Sequence, residues 1–425
     1  MNRLGFHYFP DTTHYRQSDL AAWLPKLKQL EAKWLVLNAP CERAIPEHFI
    51  RGLIEAGIEP VLQFRLLPDQ VPAHEDLELL FRAYVSWGVQ YVILFDRPNL
   101  QSSWRSIDWA QTHLVERFLD LYLPLAEACL QTGLLPIFPP LEPGGDYWDT
   151  TFLRASLQGI QRRGYTQLLE KLVIGAYAWA GDRPLDWGAG GPERWPGVRP
   201  YFTRPGEQDQ RGFRIFDWYD ALIRSVLVEP LPIFLFGVGC PLGKDPEFKT
   251  HTRKNWMMVQ LLRNESIPKM ESIPETVIGG AFWLVADSVE IQQAQGAWFR
   301  SGGEALPIVE AIQKWIGNSS NGQSSSQTES RLLSHYLLIP SYEWGISDFH
   351  FDLIRPFVKK HQPTIGFSIE DAIKAKRVTI VGGLETFPEE KANDLRSAGC
   401  IVDRISDQIM DQTPSQIEIE SMEMA

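Results

Sequence analysis

Short apolar runs alternate with amphipathic stretches along most of this chain. The runs are Leu4–Phe9, Trp34–Asn38, Pro60–Phe64, Tyr91–Phe95, Leu134–Phe138, Leu172–Tyr177, Pro232–Phe236 and Ala281–Val285. They are rich in Val, Ile, Leu and Phe and bounded by turn residues, the pattern of strands buried on both faces. Between them the apolar spacing lengthens to that of a helix. Over residues 18–32, Leu20, Trp23, Leu24, Leu27 and Leu30 share one face, with Ser18 at the N-cap position. Eight such strands, each followed by a helix, predict an α/β fold of the (β/α)8 TIM barrel type. An open doubly wound sheet fits less well, because the first strand lacks a G-x-G-x-x-G loop and eight regular units exceed its usual number.

Two segments break the alternation. Residues 178–213 form a long loop after the sixth strand, carrying Trp179, Trp187 and Trp195 among Gly and Pro. A loop of that length is either a binding lid or is stapled to the barrel by its own rings. Residues 317–330, GNSSNGQSSSQTES, read as a flexible Ser/Gly/Gln linker. The barrel is therefore expected over 1–316 and a second, smaller α/β domain over 331–410. In that domain the strands are Tyr336–Ile339, Val378–Val381 and Ile401–Ile405, and the helices Phe349–Lys360 and Pro388–Ala398. Residues 411–425 read as a disordered acidic tail.

Composition narrows the partners. A net charge of -12 lacks the basic footprint of a nucleic-acid binder. Fifteen Trp are many for 425 residues; most are expected in the core, but such rings also suit the flat faces of sugars. Cys41, Cys129, Cys240 and Cys400 are scattered, so neither a disulfide framework nor a structural zinc site is expected. No His and carboxylate set has metal-ligand spacing, and neither a metal nor a cofactor is expected. No stretch approaches the roughly 18–20 apolar residues of a membrane span, and the start, MNRLGFHYFPD, does not read as a signal peptide. The default expectation is the cytoplasm.

In a barrel the C-terminal strand tips face the site. In strand order these tips offer His7 and Tyr8; Asn38; Gln63 and Arg65; Asp96, Arg97 and Asn99; Glu142 and Asp146; Tyr177, Trp179, Asp182 and Asp186; Gly237, Gly239 and Cys240; Trp283 and Asp287. Polar groups and flat rings on one rim are what a carbohydrate cleft needs. The candidate ligand-binding residues are His7, Asn38, Arg97, Asn99, Asp146, Tyr177, Trp179 and Trp283. His7 also reads as a packed barrel histidine, Asp146 as a turn residue and Asp149 as a helix N-cap. Cys240 has no evident histidine partner and is no nucleophile candidate.

The segments LGFHYF, FDRPN, AYAW and FWLVAD resemble the strand ends of a clan of retaining glycoside hydrolases with (β/α)8 barrels, over residues 1–315. Cellulase-like and β-galactosidase-like enzymes belong to that clan. The resemblance implies an acid/base Glu at the fourth tip, within Asn-Glu-Pro-Asn, and a nucleophile Glu at the seventh. Here those places fall on Arg97 and near Gly237. Retaining enzymes need two carboxyl groups about 5–5.5 Å apart, and an arginine does not give up its proton. The resemblance therefore implies a carbohydrate-binding or catalytically degenerate barrel for a polysaccharide or cell-wall glycan. Arg97 either holds an anionic sugar or pairs with a rim acid. One alternative is an active glycosidase with relocated acids, Glu142 and Asp186 first and Asp96 next, since inverting hydrolysis tolerates about 6.5–9.5 Å. Another is a structural or assembly protein that uses the barrel as a scaffold. Residues 377–407 are similar to one unit of the cell-wall-binding repeat family 2, which implies a cell-wall partner. Gly382-Gly383 equally reads as a tight strand-to-helix turn.

Overall fold

Strands that are apolar on both faces hide one face against helices and the other against each other across a barrel axis. In a computed structural model of the chain, this is the arrangement found. The residues described are 2–240, 248–268, 270–286, 297–300, 303–321, 333–340, 348–373, 375–383 and 386–405. Strands β1 (Leu4–His7), β2 (Trp34–Asn38), β3 (Glu59–Leu66), β4 (Tyr91–Phe95), β5 (Leu135–Leu141), β6 (Val173–Trp179), β7 (Ile233–Gly239) and β8 (Val277–Trp283) form a closed parallel barrel in chain order. The seam between β1 and β8 sets Leu4 opposite Gly280 and His7 opposite Trp283. Alternation sorts the side chains. On β2, Trp34 and Val36 point to the axis with Val61, Ile93, Ile137, Phe234 and Phe236, while Leu35 and Leu37 join the shell under the helices.

The long helices of that shell are Gln17–Gln29, Glu47–Glu55, His74–Ser86, Leu114–Thr132, Asp149–Arg162, Ile215–Leu227, Lys249–Leu262 and Pro307–Asn321. In the first, Leu20, Trp23, Leu27 and Leu30 are buried and Leu24 is half-buried. Ser18 is not its cap. The helix starts at Gln17, and the Arg16 backbone N–H donates to Asp19 Oδ2 at 2.8 Å, so a carboxylate three residues on closes the end instead. β8 begins four residues earlier than its sequence suggests, at Val277. Gly279 and Gly280 read as punctuation but lie within the strand. A β-carbon on Gly279 would come within 2.5 Å of the Phe234 ring, so the glycine admits a large ring to the axis.

The last helix runs through Gly317–Asn321, into the stretch expected to be linker. Its register is set upstream, where Ile308, Val309 and Ile312 are buried. The chain divides into compact units at Ser320 and Asn321, and residues 322–330 lie outside the described residues. The second unit has a parallel sheet ordered Thr364–Gly366, Leu333–Leu338, Ala375–Val381, Ile401–Ile405. Tyr336, Val378, Ile380 and Leu395 pack on one face, and Leu337, Ile339 and Ile354 on the other. The short strand Thr364–Gly366 carries too little apolar signal to be read from sequence. Gly382 turns the chain at φ +115°, and Arg404 Nη1 donates to the carbonyls of Gly382 and Gly383 at 3.2 and 3.1 Å. The acidic tail lies outside the described residues. Among the described residues no helix is long and apolar enough to cross a membrane.

Candidate functional site

The inner layer at the strand tips starts with His7. Its ring stacks on Trp283 at 4.1 Å, and its Nε2 accepts the Gly237 backbone N–H at 3.2 Å. Burial, helped by the Arg65 charge, pulls its pKa down to about 3, so the ring is neutral and carries its proton on Nδ1. Asn38 is buried beside it and donates to the Phe9 carbonyl at 3.1 Å. Gln63, opposite Asn38 on β3, is 1% exposed, and neither its amide nitrogen nor its oxygen has a partner among the described residues.

The β4 tip turns sharply. Phe95 faces outward against Phe118, and Arg97 adopts φ +46°, a left-handed conformation that costs a residue with a β-carbon roughly 1–2 kcal/mol. That turn brings its guanidinium between two acids. Arg97 Nε lies 3.3 Å from Asp96 Oδ2, and Nη1 lies 3.5 Å from Glu142 Oε2 on the β5 tip. The guanidinium also covers the Tyr177 ring at 5.6 Å, while Tyr177 OH donates to Asp96 Oδ1 at 2.7 Å. Burial works against the charge on Arg97, but Asp96, Tyr177 and Glu142 outweigh it. Glu142 moves up from its ordinary range because burial, with Asp96 nearby, outweighs Arg97. Arg97→Gln is therefore expected to raise the Glu142 pKa further. A pH titration of its carboxyl carbon by NMR checks this, and an unchanged midpoint would contradict the bridge.

Asn99 holds this turn rather than facing the cleft. It is fully buried; its amide donates to the carbonyls of Glu142 and Tyr147, both at 2.9 Å, and accepts the Glu142 N–H at 2.9 Å. All its hydrogen-bonding groups are engaged by the β5 loop. Asp146 is exposed, and its Oδ2 accepts the Gln101 N–H at 2.8 Å.

The β7 tip is tight and strained for any residue larger than glycine. Gly237 sits at φ +57°, and a β-carbon there would lie 3.2 Å from Tyr177 Cδ1 and 3.7 Å from Trp179 Cε3. Those two rings stack on each other at 5.0 Å and cover the place. The indole nitrogens of Trp179 and Trp283 are buried without a partner among the described residues.

Asp149 is not an N-cap. It is the first residue of its helix, with Trp148 before it, and its carboxylate is buried inside the rim. It accepts from Gly144 N–H at 2.9 Å, Gln210 Nε2 at 2.7 Å and Tyr219 OH at 3.1 Å. Burial pushes its pKa up to about 6 despite these donors. The loop after β6 is stapled. Trp187 Nε1 donates to Asp209 at 3.2 Å and Trp195 Nε1 to the Ala189 carbonyl at 3.1 Å, leaving Trp179 on the strand, half-buried. Asp186 is exposed and lines a cavity of about 390 Å³ with Thr250, Arg253, Lys254 and Met257, whereas Glu142 belongs to the Arg97 bridge. The acids brought together are thus Asp96 and Glu142. Among the described residues no group of three or more His, Cys, Asp or Glu is placed to hold a metal ion. Burial pushes the Cys240 thiol up to about 11, away from nucleophilic use.

No family model and no curated protein matches the chain. It is similar to solved structures of glycoside hydrolases. A family 128 endo-β-1,3-glucanase from Sorangium cellulosum shares 14% identity over 73% of this chain and 97% of that one, with a TM-score of 0.42. An exo-β-1,4-mannosidase from Opitutaceae bacterium strain TAV5 shares 9% over 95% and 77%, at 0.43. A psychrophilic family 10 endo-β-1,4-xylanase shares 10% over 73% and 96%, at 0.46.

Proposed function

We propose that the barrel is a glycoside-hydrolase-like carbohydrate-binding domain without hydrolytic activity, taking a polysaccharide or cell-wall glycan at its C-terminal rim. The reading rests on one observation: the rim acids Asp96 and Glu142 are bridged by Arg97, while the opposite tip is a glycine covered by Tyr177 and Trp179. A retaining pair needs a free nucleophile and a proton donor facing one sugar. Of the rim rings, Tyr177 and Trp283 are buried and back the half-buried Trp179, whose ring suits the apolar face of a pyranose.

The test has two arms. Aryl-glycosides and insoluble glycans are expected to show no turnover, and Glu142→Gln to change nothing in that assay. Pull-down on the same glycans is expected to retain the protein, with Trp179→Ala and Trp283→Ala each weakening retention about tenfold. If no glycan retains the wild type, the binding reading fails. Turnover that disappears in Glu142→Gln would favour a second reading, an inverting hydrolase with Glu142 as acid. Its support is the burial that lifts the Glu142 pKa, with Asp96 rather than Asp186 as the nearer second carboxylate.

A further inference from the structure

The loop after β6 carries a short hairpin in which Arg199 and Phe202 exchange backbone hydrogen bonds at 2.9 and 3.0 Å. Its two central rings are open to solvent: Tyr201 is 63% exposed and Phe202 55%. The exposure does not come from looseness. Tyr201 is held at φ +62°, and its hydroxyl accepts the Trp148 N–H at 3.0 Å and donates to the Asp146 carbonyl at 3.4 Å. Thr203 donates to the buried Asp209 carboxylate at 2.8 Å, and Pro200 and Pro205 stiffen the flanks. Other arginines of this loop are spoken for: Arg183 by the Arg211 carbonyl, Arg211 by Asp209, Arg214 by Asp217. Arg199 and Arg204 are different. Both are exposed, and neither guanidinium is engaged by a described residue. Two cations that no described residue engages thus flank two exposed rings, one of them pinned at its hydroxyl, in a chain whose net charge is -12.

We propose that this hairpin, Arg199 to Arg204, is an outer binding platform for an acidic polysaccharide. The inference rests on the reading of the rim as glycan-binding and extends it. Rings present flat faces to pyranose C–H groups, and a guanidinium takes a uronate carboxylate in a two-pronged contact. A neutral glycan would use the rings and leave both arginines idle. Preorganisation lowers the entropic cost of binding, which is the advantage of a pinned tip. The platform is tied to the rim through Asp146, which Tyr201 holds from one side and Gln101 from the other.

Affinity electrophoresis of the full chain tests this, through gels containing polygalacturonate or a neutral β-glucan. The wild type is expected to be retarded more by polygalacturonate. Arg199→Gln/Arg204→Gln is expected to lose at least about tenfold on the acidic polymer and little on the neutral one. Phe202→Ala is expected to weaken both. The melting curves of these variants are expected to match the wild type. Undiminished retardation of the double arginine variant on polygalacturonate overturns the platform, as does self-association lost in Phe202→Ala without any change in retardation. Wild-type retardation by the neutral polymer alone also overturns it, while leaving the rim reading intact; retardation by no glycan at all overturns both.

Discussion

Asp149→Ala is expected to cost the barrel about 3 kcal/mol, read as a lower urea midpoint with an unchanged m-value. The carboxylate is buried where three elements meet, and its removal strands the Gly144 N–H, the Gln210 amide and the Tyr219 hydroxyl at once. Each buried donor left without an acceptor costs roughly 1–3 kcal/mol, offset in part by removing a poorly solvated charge. The pH dependence has a definite sign. The folded pKa of about 6 lies above the ordinary 3.8, so the folded protein keeps this proton to higher pH than the unfolded chain. The associated stability is fully present below about pH 4 and is lost as pH rises through about 6, at most about 3 kcal/mol in all. Asp149→Asn cannot ionise and is expected to lack that part of the slope. A wild type and an Asn variant with parallel stability curves from pH 4 to 7 would refute the assignment. Because Gly144 belongs to the loop that carries Glu142, loosening at Asp149 is also expected to weaken glycan retention.

Placing a carboxylate at the seventh tip is the second large effect. Gly237→Glu is expected to destabilise the fold by about 2–4 kcal/mol and to give no turnover of aryl-glycosides, alone or with Arg97→Glu. The left-handed backbone contributes about 1–2 kcal/mol for any residue with a β-carbon. The rest comes from crowding Tyr177 and from forcing a charge beneath the Tyr177 and Trp179 rings. Gly237→Ala isolates the backbone part and is expected to cost about 1–2 kcal/mol. Thermal melting of the pair gives the comparison. A Glu variant as stable as wild type would mean that the tip is not filled as described, and turnover in it would reverse the functional reading.

The barrel was legible because doubly buried parallel strands write themselves as continuous apolar runs. What local pattern could not convey was the use made of individual residues. Gly279 and Gly280 look like a turn, and only the rings of the neighbouring strands explain why a strand needs them. Ser18 and Asp149 carry capping side chains, but in one case Asp19 does the capping and in the other the carboxylate turns inward. Asn99 at a strand tip looks ligand-facing, yet its amide is spent on backbone groups of Glu142 and Tyr147. An ion pair for Arg97 was one of two readings from sequence; that Glu142, 45 residues away, shares it with Asp96 depends on how β4 and β5 end. The letter Gly at 237 says nothing of its φ, and nothing in the local pattern sets Tyr201 and Phe202 apart from core aromatics.

The seam between β1 and β8 has a consequence for the making of the protein. β1 pairs on one side with β2, and on the other only with β8, near the far end of the barrel. At a synthesis rate of roughly 5–20 residues per second, that second edge waits about a quarter of a minute to a minute for its partner. During this interval the apolar Leu4–His7 edge is a template for other chains. The newborn chain therefore carries one open strand edge until nearly the whole barrel has been made.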